Sequence, residues 1–273
     1  MFKKLLQNKQ FIFSTILLLP VFIVALIGQF ITPYDPLEFN HNQVLIKSSS
    51  EHLLGTDEFG RDILSRLIVG IQPTILVAIG ATAISLVGGT IFGVIAGYAR
   101  GIAEKTVMRF MDIVLCFPPI LLALLVVGFW GSGVNNLMLI IGLLYIPYFA
   151  RITHSATLQV KSLEYVESEL SLGATHFRVI LKSILPNITS PIIVQASLTF
   201  AATILLESGL SFLGLGVTPP APSWGQMIGD ASGYIHNNPF YVIWPSLCLG
   251  VTMLAINLLG DSLRDVLDPK LKR

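Results

Sequence analysis

Glu207 is the only acid deep inside an apolar run of this chain, and one charged stretch, Ser162 to Asn187, separates two others. A carboxylate at membrane depth is costly and normally faces a bundle interior or a watery cavity. Three roles fit Glu207: a structural hydrogen bond between helices, a wall of a transport pathway, or a proton site. Catalytic chemistry has no carrier elsewhere. No Gly-x-x-x-x-Gly-Lys-Ser/Thr phosphate loop occurs, so the chain is not expected to bind or hydrolyse ATP. The histidines, His41, His52, His154, His176 and His236, lack metal-ligand spacing, and a lone His in a loop is usually a solvated residue. No Ser-His-Asp arrangement can be argued from their order. No catalytic and no metal-binding residue is assigned.

The charged stretch reads SLEYVESELSLGATHFRVILKSILPN. Leu163 to Leu172 suits a helix that Ser162 can cap, with Glu164 and Glu167 near the positive end of its dipole. Gly173 suits the left-handed position that ends a helix. Thr175 can cap a second helix, which Pro186 is expected to stop. The result is a helix, a tight turn and a second helix lying outside the hydrocarbon. Such an element either transmits force between a soluble partner and the spans on either side, or simply connects them.

Composition places those spans in a membrane. The 273 residues are 53% hydrophobic and 12% charged, with a mean hydropathy of +0.75, against about 25% charged residues in soluble domains. No basic stripe with interleaved aromatics points to nucleic acid. Cys116 and Cys248 sit in apolar stretches and read as small buried hydrophobes.

Taken in order, residues 1–31 hold a basic start, with Lys3, Lys4 and Lys9, and a first span from Phe11 to Ile31 that Pro20 can kink. Its length suits a span of about 20 residues and exceeds a signal-peptide core, so it is read as uncleaved. Residues 32–73 form an outer segment. Within it Asp62 begins a helix whose Ile63, Leu64, Leu67 and Ile68 make an apolar stripe, read as an amphipathic helix lying on the membrane surface, as a docking face, or as both. Residues 74–265 form a five-helix core that includes the loop 162–187, and 266–273 a tail. The second span, Thr74 to Tyr98, carries Gly89, Gly93 and Gly97 on one face, which favours close helix packing. A short basic loop with Arg100, Lys105 and Arg109 follows. The third span, Phe110 to Trp130, is interrupted by Pro118 and Pro119. Asp112 is expected to start a helix or to pair with Arg109. Gly131 to Gly133 make an outer turn, and Asn135 to Phe149 form the fourth span. The fifth runs from Ile192 to about Leu215 and the sixth from Phe240 to Leu259, with a polar outer loop between them whose Trp224 suits the membrane interface. Only Lys47, Arg61 and Arg66 of the 17 Lys and Arg residues fall in segments placed outside. That asymmetry puts both termini and the 162–187 loop in the cytoplasm.

These stretches resemble, in order, the permeases of binding-protein-dependent ABC importers of the dipeptide, oligopeptide and nickel branch, C-type subunit. The loop is similar to the family pattern Glu-Ala-Ala, three residues, Gly, nine residues, Ile, one residue, Leu-Pro. Glu167, Gly173, Leu185 and Pro186 match; Ser168 and Glu169 replace the alanines, and Ser183 the isoleucine, with Ile184 beside it. Further matches are Gly55, Thr56, Asp57, Gly60, Arg61, Asp62, Ser65 and Arg66 before the second span, and Glu207 to Gly216. Pro219, Pro220, Pro222, Ser223, Trp224 and Gly225 in the outer loop, and Gly260 to Arg273 at the end, also match.

The resemblance implies an all-α integral membrane protein with six transmembrane helices, type I ABC-importer-like, and a cytoplasmic coupling helix between the fourth and fifth spans. It implies a multi-pass subunit of a bacterial or archaeal cell membrane. Its partners would be a second homologous permease subunit in a heterodimer, two ATPase subunits that bind the ATP and Mg, and an extracytoplasmic substrate-binding protein. The cargo would be peptides or nickel and other metal chelates. Glu167 and Gly173 would shape the coupling helix, and ATPase contact would fall on Ser168, Glu169, Leu172, Gly173, Ala174, Thr175 and His176. The rival reading is a stand-alone transporter driven by an ion gradient, with Glu207 as its relay.

Overall fold

The computed structural model describes residues 5, 7–99 and 101–267. Lys3, Lys4, Arg100 and the last six residues of the tail lie outside the described residues. The described chain is helical, with a lone antiparallel bridge between Thr56 and Asp62.

Helix α1 is Lys9–Ile31, capped by Asn8, whose side chain accepts from the Gln10 and Phe11 amides; Pro20 lies inside it. Helix α2, Ile63–Ala99, has 37 residues and is therefore about 55 Å long, against a hydrocarbon core of about 30 Å. The surface-lying helix expected before Thr74 is thus corrected: it is the first three turns of the second span, and Pro73 lies inside one continuous helix. Its stripe is apolar because it is covered by protein. Ile63 and Leu67 are buried with Ala25 of α1 and with Trp224 and Met227 of a later helix.

Helices α3, Gly101–Leu115, and α4, Pro119–Trp130, meet at an 88° bend. The prolines cause the break: neither Pro118 nor Pro119 has an amide to donate, and Pro118 disfavours helical geometry at Phe117. The expected basic loop is corrected here, because helix begins at Gly101; the break in the third span falls where Pro118 and Pro119 interrupt it. Asp112 neither starts a helix nor pairs with Arg109; its carboxylate accepts from Arg151 Nη2 at 2.6 Å. Cys116 is exposed at this break and Cys248 is half-buried, both as free thiols.

Helix α5, Val134–Lys161, packs along α2. The glycine face acts as its spacing foretold. A Cβ at Gly93 would lie 2.6 Å from the Ala150 carbonyl oxygen, and one at Gly97 would lie 2.8 Å from Thr157 Cβ. Gly93→Leu is therefore expected to destabilise the chain by about 2–3 kcal/mol by overpacking, read as a lower unfolding temperature in detergent. An unchanged transition would contradict this close approach.

The loop after α5 holds α6, Glu164–Ser171, and α7, His176–Val179. The chain then widens into a π turn at Ile180–Ile184, tightens into a 3-10 turn at Leu185–Ile188 and continues as α8, Thr189–Phe212. Pro186 does not stop the second helix as expected. The wider turn before it relieves the clash of its ring with the preceding carbonyls, and the path bends without ending.

Helix α9, Trp224–Ser232, and α10, Pro239–Leu267, complete the fold. The outer loop is thus not simply polar. Ser223 caps α9 through the Gln226 amide, and Gly225 and Gly229 let α9 lie on the C-terminal end of α8. Trp224 is buried there against protein; its indole N–H donates to the Leu67 carbonyl at 2.9 Å. Among the described residues five helices, α1, α2, α5, α10 and the run from His176 to Phe212, are long and apolar enough to cross a membrane. The bent pair α3–α4 makes a sixth if counted as one span.

Candidate functional site

The loop between α5 and α8 combines a well-anchored base with an exposed tip. Its base joins an apolar cluster of Val166, Val179, Ile184 and Ile188 with Val94 of α2 and Phe149 of α5. Leu163, not Ser162, occupies the N-cap of α6. Ser162 ends α5 instead, and its hydroxyl donates back to the Gln159 carbonyl. The preceding helix outcompetes the expected cap because α5 runs on to Lys161.

The end of α6 is a Schellman turn. Gly173 has a φ of +86°. Its amide donates to the Leu170 carbonyl, and the Ala174 amide donates to the Glu169 carbonyl, each at 3.0 Å. Thr175 then caps α7 by accepting from the Arg178 amide. At the tip, Leu172 is 88% exposed and Phe177 is 72% exposed. Two large apolar side chains beside exposed charges are what a protein partner would cover.

The other candidate residues divide between face and anchor. Glu167 and Ser168 are exposed, and the Ser168 hydroxyl donates to the Glu164 carbonyl. Glu169 is half-buried and accepts from the Ser183 hydroxyl. Ala174 packs against the apolar cluster. His176 is tied to the spans: its Nδ1 lies 2.6 Å from the Tyr98 hydroxyl at the end of α2. Lys161 donates to the Tyr98 carbonyl at 2.6 Å and sits over its ring. Tyr98 was not singled out by its sequence context. Its position directly after the Gly89, Gly93 and Gly97 face is the signal that it ends a tightly packed helix.

Glu207 lies far from this loop, fully buried in α8. It accepts from Ser211 Oγ at 2.7 Å and Ser208 Oγ at 3.3 Å, both on its own helix. Glu207→Gln is expected to keep most transport, because an amide preserves the acceptor, whereas Glu207→Lys places a buried cation and should remove it. Equal loss in both, measured as cargo uptake, would show that the negative charge itself is needed.

The opposite end of the bundle carries a buried ionic cluster. Asp57 is fully buried and accepts from Arg61 Nε at 2.6 Å and from the Phe59 and Arg61 amides at 2.9 Å. Arg66 Nε lies 3.4 Å from the same carboxylate. Glu58 accepts from Arg61 at 3.2 Å and from the Tyr241 hydroxyl of α10 at 2.5 Å. Asp62 caps α2 through the Ser65 amide and hydroxyl, and its other oxygen is 2.9 Å from His52 Nδ1. His52 is therefore a buried bridge to Gln43, not a solvated loop residue. Burial, with Glu58 nearby, pushes the Asp230 carboxyl on α9 up, against Arg66 and Arg61. A raised carboxyl favours the folded chain below its unfolded range and loses that contribution as pH rises through the shifted value.

The bundle thus has several helices of membrane-crossing length and a helical loop packed across one end of them. Residues 89–273 match the model of the binding-protein-dependent transport system inner membrane component, and residues 1–47 match the N-terminal TM domain of oligopeptide transport permease C. The chain belongs to this family of inner-membrane transport permeases. It is 38% identical to the glutathione transport system permease protein GsiD of Pectobacterium atrosepticum, over 99% of this chain and 90% of that one. It is 39% identical to the di/tripeptide transport system permease protein DppC of Pseudomonas aeruginosa, over 97% and 90%. An inward-facing structure of the MetNI methionine ABC transporter superposes with a TM-score of 0.64 at 20% identity, over 76% of this chain and 98% of that chain. The fold is thus that of a type I ABC-importer permease.

Proposed function

We propose that this chain is one of two permease subunits of an ATP-driven importer of short peptides, including glutathione-like ones. The observation that carries the reading is the exposed tip of Leu172 and Phe177 on a base anchored to α2, α5 and α8. A force applied to that tip by an ATPase would reach three spans at once. The exposed residues between Ser168 and His176 would meet the ATPase, while Glu167 and Gly173 would shape the helix that docks. ATP and Mg would bind on the ATPase subunits, and this chain would carry out no chemistry. A second permease subunit would cover the apolar face of α3 and α4, where Phe110, Phe117, Leu121 and Phe129 are exposed. A binding protein would deliver cargo to the end bearing the Asp57 cluster. The charge asymmetry would set that end outside and both termini inside. Cargo class follows the relatives, which are named for glutathione and di- or tripeptides.

The test is ATP hydrolysis by the reconstituted transporter, co-expressed from the neighbouring transport genes. The binding protein would be loaded in turn with peptide, glutathione or a nickel chelate. Stimulation by peptide or glutathione is expected. Stimulation by the nickel chelate alone would reassign the cargo. No ATPase requirement, with uptake driven by an ion gradient, would overturn the reading.

A further inference from the structure

The two places where the loop departs most from the family pattern, Glu169 and Ser183, are partners of each other. The Ser183 hydroxyl is within reach of both Glu169 oxygens, at 2.9 and 2.7 Å. A second contact repeats the arrangement four residues away on each strand of the hairpin: Asn187 Nδ2 donates to the Tyr165 hydroxyl at 3.1 Å. Tyr165 and Glu169 lie one turn apart on α6. Ser183 and Asn187 lie one turn apart on the segment that becomes α8, and Asn187 Nδ2 also donates to the Ser183 carbonyl at 2.7 Å. The rungs run antiparallel and flank an apolar contact in which Val166 and Leu170 meet Val179, Ile184 and Ile188.

Resting on the coupling reading above, the geometry points to a two-rung polar latch that makes α6 and the base of α8 one rigid body during transport. Glu169 is then a positioning residue and not a docking one. Its carboxylate is turned toward buried Ser183, while Leu172 and Phe177 face outward. A charged acceptor with a buried hydroxyl is among the stronger neutral-to-ion hydrogen bonds. It is made inside the π turn at Ile180–Ile184, where the backbone ladder alone would let the hairpin flex. Without the latch, a push on α6 would be absorbed at that turn before it reached α8.

The full transporter, reconstituted with its ATPases and binding protein, provides the test. Ser183→Ala and Glu169→Ala are each expected to lower cargo transported per ATP hydrolysed by about fivefold, with ATPase subunits still co-purifying. The pair should not be additive, because either change removes the same bond. Glu169→Gln, whose amide oxygen still accepts, should recover most of the coupling, and Glu169→Ala with Ser183→Ile, the family's own pairing, should also recover it. Equal loss in Glu169→Gln and Glu169→Ala, or loss of ATPase binding in either, would make Glu169 a docking charge and overturn the latch.

A second measurement needs no change in stability. With Cys116→Ser and Cys248→Ser as background, Glu169→Cys and Ser183→Cys are joined by a short bifunctional thiol reagent. Uptake that survives the link supports a rigid hairpin, and uptake abolished by it shows that the two must separate. Wild-type chain that transports without any ATPase would instead sink the coupling reading itself.

Discussion

Asp57→Ala is expected to destabilise the folded chain by about 3–5 kcal/mol, the cost of removing one partner from a buried ion pair. Its carboxylate holds the Arg61 guanidinium, two loop amides and the neighbourhood of Arg66, itself fully buried. Removing it leaves two cations near each other, balanced only by Glu58, already engaged by Tyr241, and by the buried Asp230 carboxyl. The cluster joins the outer segment to α2 and α10, so the loss would spread to the packing around Trp224. Thermal unfolding in detergent should fall by roughly 10 °C or more. Glu38→Ala, an exposed acid in the same segment, should move it by less than about 0.5 kcal/mol. Similar small shifts in both would mean that the cluster is not a buried ionic core.

Gly173→Pro should leave the protein in the membrane and lower ATP-driven uptake by about tenfold or more, a coupling loss within the usual range of linked sites. Proline cannot adopt a φ of +86°, and it removes the amide that donates to the Leu170 carbonyl. The Schellman turn would then open and α6 would no longer present Leu172 beside α7. Gly173→Ala is the graded control. It keeps the amide but carries a side chain in left-handed geometry at about 1–2 kcal/mol, and should lose only part of the uptake. Normal uptake in Gly173→Pro would remove the loop from the coupling path.

The helices and the loop were legible because their signals are local. The glycines at 89, 93 and 97 marked the close face, Gly173 the turn and Thr175 the second cap. What escaped depends on neighbours distant in sequence. Ile63 to Ile68 look like a surface stripe until the outer segment and Trp224 cover them. Asp112 has Arg109 close in sequence, yet a 39-residue separation brings Arg151 to it. Ser162 has the composition of an N-cap, but α5 claimed it. Pro186 reads as a stop because a π turn leaves no sequence signature. Glu169 and Ser183 looked like separate departures from a pattern, and only their antiparallel register shows one compensating for the other.

The central claim is that the exposed tip of this loop is where an ATPase acts. The most direct measurement is thiol crosslinking from Leu172→Cys, in a background with Cys116→Ser and Cys248→Ser, in membranes holding the complete transporter. The account predicts a covalent adduct with the ATPase subunit that changes in yield when ATP is added. It predicts none from Ile235→Cys, an exposed position in the outer loop. An intact chain that gives no ATPase adduct from Leu172→Cys, or that gives it equally from Ile235→Cys, would contradict the claim.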